Sequence, residues 1–86
     1  MVVRIDLYTS VFCPHSPSAS NLMKQISQQF KGRLDWNEIS IETNEGKHKA
    51  KAIGIRKVPT FVIDGKLALI GTPKKEDLVW EITKRL

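Results

Sequence analysis

Residues 2 to 8 alternate, with Val3, Ile5 and Leu7 on one side and Arg4 and Asp6 on the other. A period of two predicts a strand with one face buried. From Ser16 the period changes. Ala19, Leu22, Met23, Ile26 and Phe30 recur at the i, i+3, i+4, i+7, i+11 spacing of one helical face. Pro14 and Pro17 are expected in the first turn of this helix, where a missing N–H costs nothing, and Gly32 is expected to end it. Leu34, Trp36, Ile39 and Ile41 predict a second strand over 33–41. Its alternation slips between Trp36 and Ile39, which calls for a bulge or for burial on both sides. Asn44 is the expected cap of a short polar helix over 45–53, and Gly54 stops it. A third strand over 58–63 leads into Asp64-Gly65, a strong two-residue hairpin signal, and 66–70 return antiparallel. Gly71 breaks that strand. Thr72 is then the expected N-cap, with Pro73 at the first helical position. Leu78, Val79, Ile82 and Leu86 form the apolar stripe of a closing helix, with Lys84 and Arg85 in its last turn as the dipole favours.

The order is β-α-β-α-β-β-α. The first βαβ unit requires a parallel pair and a right-handed crossover, and the hairpin adds an antiparallel pair. An α/β fold follows, with a mixed four-stranded sheet and helices on both faces. The 86 residues are enough for one domain over 1–86 and one modest core. The apolar runs are far too short to cross a membrane, and the start of the chain does not resemble a signal peptide. The expected setting is cytoplasmic. Net charge is +5, from 14 Lys and Arg against 9 Asp and Glu. The basic residues run from Arg4 to Arg85 with acids interleaved, and no nucleic-acid recognition motif accompanies them. Solvated faces are therefore the expected use of this charge, with neither nucleic acid nor membrane as partner.

The chemistry centres on Phe12-Cys13-Pro14-His15-Ser16. A lone cysteine makes no internal disulfide, and its bland reading is a small buried hydrophobe. This one lies just before a helix, where free N–H groups favour the thiolate, the form that attacks disulfides. A protonated His15 would favour it further, although a polar first-turn residue is often only solvated. Zinc is a weak alternative: Cys13, His15 and the distant His48 fall short of four ligands. Far along the chain, Val58-Pro59-Thr60 puts a proline at the head of an apolar strand. Proline is normally unwelcome there, and it forces Val58 to be extended. Only about 5% of X-Pro bonds are cis, so the residues alone favour trans.

Cys13-Pro14-His15-Ser16 after the first strand, Val58-Pro59-Thr60 at the third, Asp64-Gly65 in the hairpin and Gly71 before the last helix carry a resemblance over essentially the whole chain. The chain resembles the thioredoxin/glutaredoxin superfamily, and within it the short archaeal glutaredoxin-like thioredoxins. The resemblance implies a thioredoxin-like fold and thiol–disulfide exchange in which Cys13 attacks a protein disulfide. It also implies a cis Pro59 beside Cys13, with Val58, Pro59 and Thr60 meeting the substrate. Ser16 stands where the family's resolving cysteine is found. Either the chain is a natural monothiol member, or Ser16 replaces the cysteine of a dithiol parent and traps mixed disulfides. Pro14-His15 inside the motif favours the second reading. Glutathione contacts are thin: Ser10 stands where many glutaredoxins have Lys, and Gly71-Thr72-Pro73-Lys74 replaces a Gly-Gly-acid run. Arg56 and Lys57 are candidate contacts for glutathione carboxylates, or a solvated pair. The proton-accepting acid of many thioredoxins would fall near Leu7, which is apolar. The expected partners are disulfide-containing proteins and a reductase, with no resident cofactor, no metal and a monomeric state. Two rivals are a monothiol glutathione-dependent enzyme or iron–sulfur carrier, and a non-catalytic binding module that captures a strand at Val58.

Overall fold

In the computed structural model, which describes residues 2–86, Val3, Ile5 and Leu7 leave one face of β1 (Val3–Thr9) and are almost fully buried. They meet Ala19, Met23 and Ile26 of α1 (Ser16–Gln29), Leu78 and Ile82 of α3 (Lys75–Thr83), and Phe61 and Ile63 of β3 (Thr60–Ile63). A smaller cluster on the opposite face joins Tyr8 and Val62 to Ala50 of α2 (Asn44–Ile53). The sheet order is β2-β1-β3-β4, with β2 at Leu34–Ser40 and β4 at Lys66–Ile70. β1 runs parallel to β2 and antiparallel to β3, and β3 is antiparallel to β4. The mixed four-stranded sheet thus carries α1 and α3 on one face and α2 on the other, as the element order requires. Among the described residues no helix is long and apolar enough to cross a membrane.

Several local expectations shift. Pro14 lies outside α1, in a turn closed by the Ser16 N–H on the Cys13 carbonyl at 3.2 Å. The first helical bond runs from the Ala19 N–H to the His15 carbonyl, so only Pro17 sits in the first turn. β2 has no bulge: its register with β1 is unbroken from Val3–Leu34 to Thr9–Ser40. The slip in alternation is a change of side, since Leu34 and Trp36 pack towards α1 and α3 while Ile39 and Ile41 pack towards α2. The irregularity occurs instead between β3 and β4, where Ala68 is the extra residue between the Phe61–Leu69 and Val62–Leu67 pairs.

The caps move as well. Thr43 rather than Asn44 caps α2, its hydroxyl accepting the Gly46 N–H at 2.9 Å. Gly46 sits so close to β2 that a Cβ there would overlap the Ser40 carbonyl oxygen. β3 begins at Thr60, because Pro59 has no N–H for the ladder; its carbonyl accepts the Gly71 N–H at 2.7 Å. α3 starts at Lys75 without a side-chain cap. Thr72 does not cap it: the Thr72 hydroxyl donates across to the His15 carbonyl at 3.3 Å, with Pro73 also outside the helix. Lys84 and Arg85 lie just beyond α3 and are held by Glu81. The Asp64-Gly65 turn has positive φ at both residues, the geometry that continues the strand twist in a two-residue hairpin.

Candidate active site

Two separated segments meet at the carboxyl end of β1. The first is the loop 10–15 leading into α1. The second is the irregular stretch 56–59 leading into β3, where the Val58–Pro59 peptide is cis. Cys13 Sγ lies 3.4 Å from the Val58 carbonyl oxygen, which the thiol proton faces. This contact joins residues 45 positions apart in the chain.

Cys13 is partly exposed, and its thiol is held below the ordinary value. The His15 backbone N–H contributes most, partial desolvation opposes it, and the Ser16 hydroxyl and backbone N–H add to the lowering. Backbone N–H groups at the helix start thus contribute to the lowering, and the imidazole of His15 is not among its causes. That ring is exposed, as is Pro14. Ser16 is buried. Its Oγ accepts the Ser10 N–H at 3.2 Å, which leaves the hydroxyl proton for the sulfur.

On the second segment Val58 is partly exposed and Pro59 is buried. Thr60 is only 1% exposed, and its hydroxyl donates to the Lys57 carbonyl. Thr60 thus shapes the loop from inside and presents no side chain outward, unlike Val58. Arg56 and Lys57 are exposed. Among the described residues no His, Cys, Asp and Glu side chains group as a metal-ligand set.

No local pattern along the chain marks the carboxylate that braces the loop. Glu42 accepts the Ser10 hydroxyl at 2.7 Å, the Val11 N–H at 3.0 Å and the Ser40 hydroxyl at 3.0 Å. Ser10 Oγ in turn accepts the Phe12 N–H at 3.1 Å, and the Ser10 carbonyl accepts the Cys13 N–H at 3.1 Å. These donors hold the Glu42 carboxyl below the usual range, the Ser10 hydroxyl first among them. Val11 and Phe12 are left 80% and 84% exposed, forming an apolar rim before the sulfur. Beside Cys13 and Val11 a cavity of about 330 Å³ is also lined by Ser16, Ser20, Ser40 and Glu38. Glu38 accepts hydrogen bonds there from Ser20 at 2.6 Å and Thr9 at 3.1 Å.

Comparison with known proteins places this arrangement in context. A family model described as a thioredoxin domain matches residues 1–83. A thioredoxin of Methanocaldococcus jannaschii is 39% identical over 84 residues, covering 98% of this chain and 96% of that one. A probable thioredoxin of Methanothermobacter thermautotrophicus is 32% identical over 78 residues, covering 91% of this chain and 89% of that one. Among solved structures, a malarial protein superposes with a TM-score of 0.82 at 17% identity, covering 100% of this chain and 99% of that one. A chain from work on thiol resolution in yeast mitochondrial 1-Cys peroxiredoxin by the glutathione/thioredoxin systems gives 0.80 at 20% identity, covering 96% of this chain and 78% of that one. At those identities the two structures share the fold with this chain.

Proposed function

We propose that this chain, which belongs to the thioredoxin family, is a thiol–disulfide oxidoreductase whose nucleophile is Cys13. The observation that carries the reading is that one partly exposed sulfur, just before α1, lies 3.4 Å from the Val58 carbonyl of a segment 45 residues away, where the His15 and Ser16 N–H groups and the Ser16 hydroxyl hold its thiol below the ordinary value. Donors aimed at the sulfur stabilise the thiolate, the attacking species in exchange. The Val58 carbonyl, freed from the thiol proton, is then the acceptor for a backbone N–H of an extended substrate.

The thiolate attacks one sulfur of a substrate disulfide. The Cys13–substrate S–S bond forms as the substrate S–S bond breaks, and the departing thiolate takes a proton from solvent. No net oxidation occurs in this step. In a dithiol enzyme the second cysteine would now attack Cys13 and release the substrate. Ser16 occupies that position, and a hydroxyl is far too weakly acidic to do so. The mixed disulfide therefore persists until an external thiol displaces it, and the chain completes half of a dithiol cycle. We read Ser16 as the replacement of a resolving cysteine: it is buried and directed at the sulfur, while Pro14 and His15 fit a dithiol parent.

Two measurements test this. Alkylation of Cys13 followed against pH should show a midpoint below that of a free thiol; an ordinary midpoint removes the activated nucleophile. Reduced Ser16→Cys, mixed with insulin in the absence of any external thiol, should cleave its disulfides and end oxidised, where the given chain only accumulates a mixed disulfide. Equal activity of the two would sink the dithiol-parent reading.

A further inference from the structure

Beside Val58 lies another cavity, of about 280 Å³. Its floor is apolar, made by Ile41, Ala50 and Ile55. Four exposed cations stand around it: Lys47 and Lys51 from α2, and Arg56 and Lys57 from the stretch before β3. None of the four forms an ion pair among the described residues, whereas Lys49, Lys84, Arg85 and Arg4 all do. Lys47 lowers the Glu42 carboxyl, but the oxygens of that carboxylate are already engaged by Ser10, Val11 and Ser40. The basic excess of the chain is thus not an evenly solvated face here. Two elements bring positive charge to one hollow, and that hollow shares Val58 with the redox sulfur.

Building on the thiol-exchange reading, we propose that this cavity is a subsite for an acidic side chain of the polypeptide whose disulfide Cys13 attacks. The chain then prefers protein disulfides with Asp or Glu close to the reacting cysteine. A carboxylate side chain with one or two waters, at about 30 Å³ each, fits the volume. An extended segment paired to the Val58 backbone advances about 3.3 Å per residue, with side chains alternating between two sides. The acidic residue accordingly falls within about three positions of the cysteine. A polypeptide is the occupant because the same sulfur is bordered by the Val58 carbonyl, released when the thiol ionises, and by the exposed apolar Val11 and Phe12, features that suit a chain rather than a free anion. Opposite charges around such a site speed encounter and set register more than they add to final affinity.

The test uses short cysteine peptides that differ only in flanking residues, Asp, Asn or Lys, each as its 2-pyridyl disulfide. Release of 2-thiopyridone gives the rate of attack by Cys13, and alkylation by neutral iodoacetamide normalises each variant for thiolate content. At low salt the Asp peptide should react about tenfold faster than the Lys peptide, with Asn between them. At about 0.5 M salt the gap should close to about twofold. Lys51→Glu combined with Arg56→Glu leaves two cations against two carboxylates and should abolish the preference. Asp and Lys peptides reacting alike at low salt, or a preference for Asp that survives the double reversal, would overturn the subsite while leaving exchange intact. The glutathione 2-pyridyl disulfide should react more slowly than the Asp peptide; a faster reaction would make the hollow a small-molecule site and also overturn the proposal. If no disulfide reacts and iodoacetamide finds an ordinary thiol, the exchange reading itself falls.

Discussion

Gly46→Ala sets two opposed effects against each other, and their sizes decide the sign. Within a helix, Ala is favoured over Gly by about 1 kcal/mol. Gly46 lies in the first turns of α2, so propensity alone predicts a gain. However, an added Cβ would overlap the Ser40 carbonyl oxygen, and would stand only 2.9 Å from the Ser40 carbonyl carbon and 2.8 Å from Thr43 Oγ1. The first two atoms are backbone of the β2 terminus, so no rotamer change relieves the contact. Overpacking of this kind costs about 3 kcal/mol, the upper end of the usual range. The balance is a loss of about 2 kcal/mol, or about 8–16 °C in Tm for a domain of this size. Urea and thermal unfolding monitored by circular dichroism measure it directly. The damage should also reach the active site. Ser40 donates to Glu42, and Glu42 holds the loop before Cys13. Peptide-disulfide attack by Cys13 should therefore slow in the folded variant. An unchanged or higher Tm would refute the reasoning, because α2 would then lift off Ser40 without cost.

Other substitutions probe the site more locally. Ser16→Ala removes one donor from the Cys13 sulfur and the acceptor of the Ser10 N–H, so the alkylation midpoint of Cys13 should rise; an unmoved midpoint would show that the backbone donors suffice. The Glu42 carboxyl is lowered in the folded chain, so its stabilisation is present above the ordinary carboxylate value and is lost as pH falls through the lowered one. Glu42→Gln should accordingly flatten the acid side of the stability–pH curve, and an unchanged acid limb would contradict the clamp. Thr60→Val keeps the side-chain shape but leaves the Lys57 carbonyl without its hydroxyl partner, at a cost of about 1 kcal/mol. Denaturant midpoints check this, and a variant as stable as its parent would mean that packing alone holds the loop.

Much of the architecture was written in local pattern. The period of two in β1, the 3.6-residue spacing from Ala19 to Phe30, and Asp64-Gly65 each specify an element through contacts within a few residues, so they can be read along the chain. The placement of Cys13 at a helix start is equally local, and with it the donors that lower its thiol. Caps were less legible: Thr43 and Asn44 are adjacent and both suit the position, and the close packing of Gly46 on Ser40 accompanies the choice of Thr43. Thr72 looked like a cap but bonds His15, which lies 57 residues away.

What the tertiary structure alone decided is which distant groups surround the sulfur. Val58 reaches Cys13 because β3 pairs with β1, and Glu42 reaches Ser10 because β2 lies parallel beside β1. The four cations beside Val58 are spread over eleven positions of sequence and look like ordinary surface charge until α2 turns two of them towards the other two. The strands and helices arise from short-range sterics and burial periodicity. The bracing carboxylate and the basic hollow arise from sheet order and helix placement, which bring together side chains whose spacing along the chain carries no trace of their meeting.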